Sequence, residues 1–187
     1  MLIDELKNIA RNNGIVGAGG AGFPAYAKMT EKADTVILNC VECEPLLKLH
    51  RQLLATHTEE IIQMLDEVRE SFGAKEAVIG IKSEYVTTIK AIEEVIGDFP
   101  NVRICALKAA YPMGDEVVLI YEATGRVIKP GGLPIDENVV VYNVETMYNL
   151  YRAVHLNIPV TNKLVSIVGE IDHPLTVRVP SVSYTHL

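Results

Sequence analysis

Chemistry is most concentrated between residues 14 and 28, Gly14-Ile15-Val16-Gly17-Ala18-Gly19-Gly20-Ala21-Gly22-Phe23-Pro24-Ala25-Tyr26-Ala27-Lys28. Five glycines fall within nine residues there, followed by an aromatic, a proline and a lysine. Glycine at this density removes the Cβ atoms that would hold a ligand away from the backbone. Successive N–H groups in such a loop can converge on an anion, and Pro24 is suited to open a helix behind it. A helix N-terminus attracts phosphate through unpaired N–H groups and the positive end of its dipole, and Lys28, about one turn further on, adds a mobile charge. The plain alternative is a connector that only lets two elements pack closely; Phe23, Pro24 and Lys28 beside the glycines favour the anion site.

Three further polar groups each follow an apolar, β-branched run. Val36-Ile37-Leu38-Asn39 leads into Cys40-Val41-Glu42-Cys43-Glu44-Pro45. Residues 102–107 lead to Tyr111-Pro112-Met113-Gly114-Asp115-Glu116, and 139–142 to Asn143-Val144-Glu145-Thr146. Open α/β sheets place ligands at the C-terminal ends of their strands. Glu42, Glu44, Asp115 and Glu116 are therefore read as ligand-facing rather than as merely solvated strand ends. Cys40 and Cys43 form C-x-x-C, read as incidental: tetrahedral zinc needs two more ligands, and the spacing to His50 and His57 matches no common pattern. No metal ligand is assigned.

These groups need elements to position them. Leu2, Leu6, Ile9 and Ala10 have helical spacing, and Gly14 is a stop, so a helix precedes the glycine loop. Gly17, Gly19 and Gly22 satisfy the G-x-G-x-x-G dinucleotide fingerprint, with Glu42 about twenty residues on. That fingerprint requires a buried strand immediately before it, and only Ile15 and Val16 are β-like here. Strands are expected at 34–39, 77–81, 102–107 and 139–142. One long amphipathic helix is expected from His50 to Phe72, and others over 85–96, from Val117, and from about Thr146 to Leu156. His50 and His57 are read as surface or cap residues of the long helix, and Tyr142, Tyr148 and Tyr151 as core or interface residues. The alternation predicts a parallel sheet with helices packed on it. Beyond Pro159, residues 164–169 and 175–179 read as two strands joined by a turn at Asp172-His173-Pro174.

The chain has 187 residues, 49% of them hydrophobic and 22% charged, and a formal net charge of −7. That suits one soluble domain with part of a second. No basic stripe interleaved with aromatics points to nucleic acid as the ligand. No apolar run is long enough to span a bilayer and no signal-peptide pattern is present, so a cytoplasmic location is expected. Three cysteines are too few for a disulfide framework or a four-thiolate cluster.

GAGGAGFPAYAK, NCVECEP, YPMGDE, GGLP and NVETMYN, in this order, resemble the flavin-binding family of the complex I 51-kDa (NADH dehydrogenase) subunit over residues 5 to 180. Within it, LNCVECEPLL and YPMGDEVVLIYEATGR most resemble the cobalamin-reductase branch of propanediol utilisation. The Rnf-complex C subunit and the proline-reductase-associated electron transfer protein are also similar. The resemblance implies a Rossmann-like parallel-sheet domain over 1–160 that binds FMN and NADH, the start of a small β-grasp (soluble-ligand-binding) domain over 161–180, and a non-native tail over 181–187. It implies an oxidoreductase that takes a hydride from NADH and passes single electrons to 4Fe-4S clusters held by cysteine-rich segments beyond this chain.

Carried over by motif, Gly17, Gly19, Gly20, Ala21, Asn39, Gly114, Asn143 and Thr146 would bind FMN. Phe23, Lys28, Glu44 and Glu116 would contact NADH, and Glu42 and Tyr111 would flank the flavin as catalytic groups. The implied partners are an electron-acceptor protein or corrinoid, and components of a membrane or microcompartment complex. The sequence departs from the 51-kDa pattern at Ala18, where the family has arginine, and at Val41, where it has an acid. Both weaken charge complementarity for the nucleotide and keep a protein electron donor open. Two readings stand beside this one: a docking module without turnover, and a flavin-free dehydrogenase.

Overall fold

The computed structural model describes residues 1–182. Strands β1 (Thr35–Cys40), β2 (Glu76–Lys82), β3 (Val102–Leu107) and β4 (Val139–Asn143) form a parallel sheet in the order β3-β2-β1-β4. Helices α1 (Ile3–Asn12), α2 (Leu49–Thr56), α3 (Thr58–Phe72), α4 (Val86–Val95), α5 (Glu116–Thr124) and α6 (Val144–Leu156) flank it. Strands β5 (Asn162–Ile167) and β6 (Leu175–Pro180) pair antiparallel in a separate hairpin. The fold is the expected Rossmann-like α/β sheet, and among the described residues no helix is long and apolar enough to cross a membrane.

Strands β1, β2 and β4 are apolar on both faces because both faces are covered, whereas the edge strand β3 exposes Arg103 and Ala106. Val36, Leu38, Ile79, Ile81 and Tyr142 bury into one cluster with residues of α1, α2, α3, α4 and α6. Ile37, Val78, Val139 and Val141 pack on the opposite face against Leu119 and Ile120 of α5. The chain steps outward from β1 to β2 to β3, then crosses the second face through α5 and lays β4 on the other edge of β1. The C-terminal ends of β1 and β4 thus lie side by side where the strand order reverses, the usual ligand position in such sheets.

Two expected elements differ. The helix read over residues 50–72 is two helices, α2 and α3, broken at His57, whose backbone leaves helical geometry at φ −130° and ψ 43°. The flanking threonines turn their hydroxyls back on the ladder: Thr56 Oγ1 donates to Gln52 O at 2.9 Å and Thr58 Oγ1 to Leu54 O at 2.7 Å. Such back-bonding competes with helix continuation and bends the chain. The segment after Pro24 is a four-residue 3-10 turn, Ala25–Lys28, rather than an α-helix. Met29 returns at once to extended backbone and is buried, drawing the chain into the core. Lys28 closes this turn, which is too short to supply a dipole. Of the tail read over 181–187, residues 183–187 lie outside the described residues.

Candidate functional site

Residues 17–23 form a loop closed at its base, where Gly17 N–H donates to Phe23 O at 2.8 Å and Ala25 N–H to Ile15 O at 3.0 Å. The loop rests on the first turn of α6: Ala18 N–H donates to Thr146 Oγ1 at 3.0 Å, and the Thr146 hydroxyl donates to Val16 O at 3.4 Å. Gly19 is required by this approach, since a Cβ there would stand 2.6 Å from Asn143 Nδ2 and 3.6 Å from His50 Cε1. Among the described residues, the N–H groups of Gly19, Gly20, Ala21 and Gly22 donate to no protein acceptor. The helix N-terminus beside the loop is that of the 13-residue α6, not the four-residue turn after Pro24.

The loop and the ends of β1 and β4 bound a cleft of about 290 Å³. Gly17, Gly19, Gly20, Ala21, Asn39, Asn143 and Thr146 line it, all of them predicted from the sequence. Asn39 Oδ1 accepts from Val41 N–H at 2.9 Å, and its Nδ2 donates to Gly114 O at 3.1 Å. Gly114 itself is outside the lining and braces it from behind: a Cβ there would collide with the Val41 carbonyl and stand 2.7 Å from Cys43 Sγ. Val41 packs into the core beside Met113, so its side chain serves the interior rather than the cleft.

A second cleft of about 440 Å³ adjoins the first and is lined by Lys32, Leu133, Pro134 and Ile135, among others. Phe23, Lys28 and Glu116 line both clefts. Lys28 Nζ stands 3.4 Å from Glu116 Oε1 and donates to Val141 O at 3.4 Å. Asp115 holds Glu116 in place by capping α5, its carboxylate accepting from Val117 and Val118 N–H at 3.0 and 3.2 Å. Phe23 is about half exposed, with its ring open to a ligand.

Three predicted residues lie elsewhere. Glu44 is exposed and outside both linings, and Tyr111 is 84% exposed. Glu42 is buried: it accepts from His50 N–H at 2.8 Å, and its Oε2, 3.6 Å from Arg51 Nε, makes no hydrogen bond. Burial raises its pKa, against the opposing pull of the His50 amide and the Arg51 charge.

Residues that sequence reasoning missed complete the support. His50, read as a surface or cap residue, is partly buried, with Nε2 3.0 Å from Asn143 Nδ2. Burial, aided by the charge of Lys163, pulls its pKa down to about 4, so a neutral imidazole accepts from the amide. Asn143 Oδ1 meanwhile caps α6 by accepting from Glu145 N–H at 2.9 Å. Glu145, 3% exposed, accepts from Lys163 Nζ at 2.6 Å. Glu145 belongs to the NVETMYN motif, and a carboxylate in the first turn of a buried helix was the available signal; nothing local marked His50 or Lys163.

Residues 10–152 match the Nuo51 FMN-binding domain of the complex I 51-kDa family. The chain belongs to this family. Among curated proteins it is 40% identical to the cobalamin reductase PduS of Salmonella typhimurium, over 95% of this chain and 39% of that protein. It is 33% identical to the C component of the Na(+)-translocating ferredoxin:NAD(+) oxidoreductase complex of Acetobacterium woodii, over 94% of this chain and 41% of that protein. It thus spans less than half the length of these relatives. In fold it matches a chain of an NAD+-reducing NiFe hydrogenase in the air-oxidized state, with a TM-score of 0.79 at 24% identity, over 95% of this chain and 36% of that one. The cleft fits the family's cofactor. Free loop amides beside a helix N-terminus suit a phosphate, Gly20 in the lining leaves open space where a side chain would stand, and two asparagines line the same cavity. The chain is an FMN-binding electron-transfer module.

Proposed function

We propose that this module oxidises NADH through FMN as part of a larger oxidoreductase that delivers electrons to a protein or corrinoid acceptor. The observation that carries the reading is the wall shared by the two clefts. Phe23, Lys28 and Glu116 border the flavin cleft on one side and an apolar cleft of nucleotide size on the other. When bound, FMN would supply the redox chemistry that couples a two-electron donor to one-electron acceptors.

The residues of the chain bind and orient. The amides of Gly19, Gly20 and Ala21 and the Thr146 hydroxyl would hold the phosphate, while Asn39 and Asn143 would address the ring system. Phe23 would stack on the nicotinamide nucleotide, and Lys28 and Glu116, parting from each other, would take its phosphate and a ribose hydroxyl. Glu42 is better placed to position than to react, because its carboxylate fixes the start of α2 and with it His50. Glu44 and Tyr111, exposed and outside both clefts, would meet the nucleotide or a partner surface only from outside these walls. We assign residues 1–160 to the flavin module and the β5–β6 hairpin to the start of a β-grasp unit.

Anaerobic titration of the FMN-loaded protein with NADH tests the reading. Stoichiometric bleaching of the visible flavin band is expected. Bleaching by dithionite but not by NADH would overturn it in favour of a protein donor.

A further inference from the structure

The glycine loop is held in shape by a lysine that lies outside the sheet domain. Lys163, at the start of β5, donates from Nζ to Ala18 O at 2.7 Å and to Glu145 Oε2 at 2.6 Å. The next residue joins the same carboxylate, Leu164 N–H donating to Glu145 Oε1 at 3.4 Å. The hairpin thus meets both oxygens of a buried acid in the first turn of α6 while gripping the loop that packs on that turn.

The grip has a directional consequence. Ala18 is fixed on both sides, its N–H by Thr146 and its carbonyl by Lys163. A trans peptide is planar, with its C=O and N–H pointing opposite ways. Drawing the Ala18 carbonyl onto Lys163 therefore turns the Gly19 N–H away from Lys163, at the first of the four loop amides left without a protein acceptor. A loop with this much glycine has many competing conformations, and each one excluded before binding lowers the ordering cost of capturing an anion.

Resting on the FMN reading, we propose that Lys163 is a positioning residue for flavin binding, with the β5–β6 hairpin acting as a clasp that presets the phosphate-binding amides. Lys163 is absent from the cleft lining, so it acts through Ala18 rather than by touching the cofactor. Coupling is reciprocal: FMN must also tighten the hairpin on the domain.

The test measures FMN affinity by fluorescence quenching, and amide hydrogen exchange in FMN-free protein at Gly17 and Ala18, the loop amides that are hydrogen-bonded, to Phe23 O and Thr146 Oγ1. Lys163→Met is expected to weaken FMN about 10- to 100-fold and to speed exchange in the loop. Lys163→Arg should restore affinity to within about threefold, since a guanidinium can still donate to both acceptors. Trypsin cleavage after Lys163 in the wild type should slow when FMN is added. Because Lys163→Met strands the buried Glu145 carboxylate, the double variant Lys163→Met/Glu145→Gln guards against a folding defect, and it should fold yet remain weak for FMN. Wild-type affinity in a folded single or double variant would overturn the clasp. Failure of the wild type to bind FMN would instead sink the flavin reading. Loop exchange would then still decide the clasp: faster in the variant supports it, unchanged refutes it.

Discussion

Asn39 and Asn143 are register partners at the C-terminal ends of the adjacent parallel strands β1 and β4. Each divides its amide between two backbone or side-chain neighbours, and both line the same cleft. The pair places two fixed amides at the point where the strand order reverses, with the glycine loop folded over the β4 side.

Gly19 and Gly20 should respond differently to substitution. Gly19→Ala must displace Asn143 and disturb the α6 cap, costing about 0.5–2 kcal/mol of stability along with FMN affinity. A Cβ on Gly20 meets nothing within 4 Å. Gly20→Val should therefore leave stability within about 0.5 kcal/mol while its side chain blocks the flavin. Urea melts and FMN titrations of both variants check this; tight FMN binding by Gly20→Val would remove that part of the loop from the site.

Lys28→Ala and Glu116→Gln should each weaken NADH by about 1–3 kcal/mol, the worth of a charge-assisted hydrogen bond, and leave FMN bound. Their own ion pair, with each side chain at least 36% exposed, contributes only about 0–1 kcal/mol, so stability should barely change. Flavin retention on gel filtration and the NADH dependence of bleaching separate the two ligands. Joint loss of both would mean that these residues serve the flavin.

His50 predicts an acid sensitivity. Its pKa falls from 6.5 to about 4 in the folded protein, so the unfolded chain binds the proton more readily. The stabilisation is complete above the unfolded value of 6.5 and is lost as pH falls through about 4. The unfolding free energy of the wild type should drop more steeply over that interval than that of His50→Gln, by on the order of 1–3 kcal/mol. Parallel pH curves would show that the imidazole is not sheltered.

No iron or acid-labile sulfide should co-purify with this chain. Cys40 is buried, and burial raises the pKa of both its thiol and that of Cys105, opposing the thiolate that a cluster requires. Among the described residues no group of three or more His, Cys, Asp or Glu could hold a metal ion. Metal analysis of the anaerobically purified protein decides, and stoichiometric iron would contradict this.

The sequence by itself determined the sheet and most of the cleft. Runs such as Val36-Ile37-Leu38 and Val139-Val140-Val141 can only be strands buried on both faces, and the polar residues after them must then sit at one edge of a parallel sheet. The glycines marked the loop because backbone approach is a property that composition records directly. Other features depended on contacts across long stretches of chain. The break at His57 turns on local hydroxyl bonds that an apolar periodicity running through it conceals. Glu42 looked like a ligand-facing acid until folding brought the His50 amide over it. Lys163 reaches Ala18 across 145 positions, and no local pattern encodes which carbonyl a lysine will meet. Local propensity and hydrophobic period chose the elements; tertiary packing alone decided which polar atoms face the cleft and which hold it open.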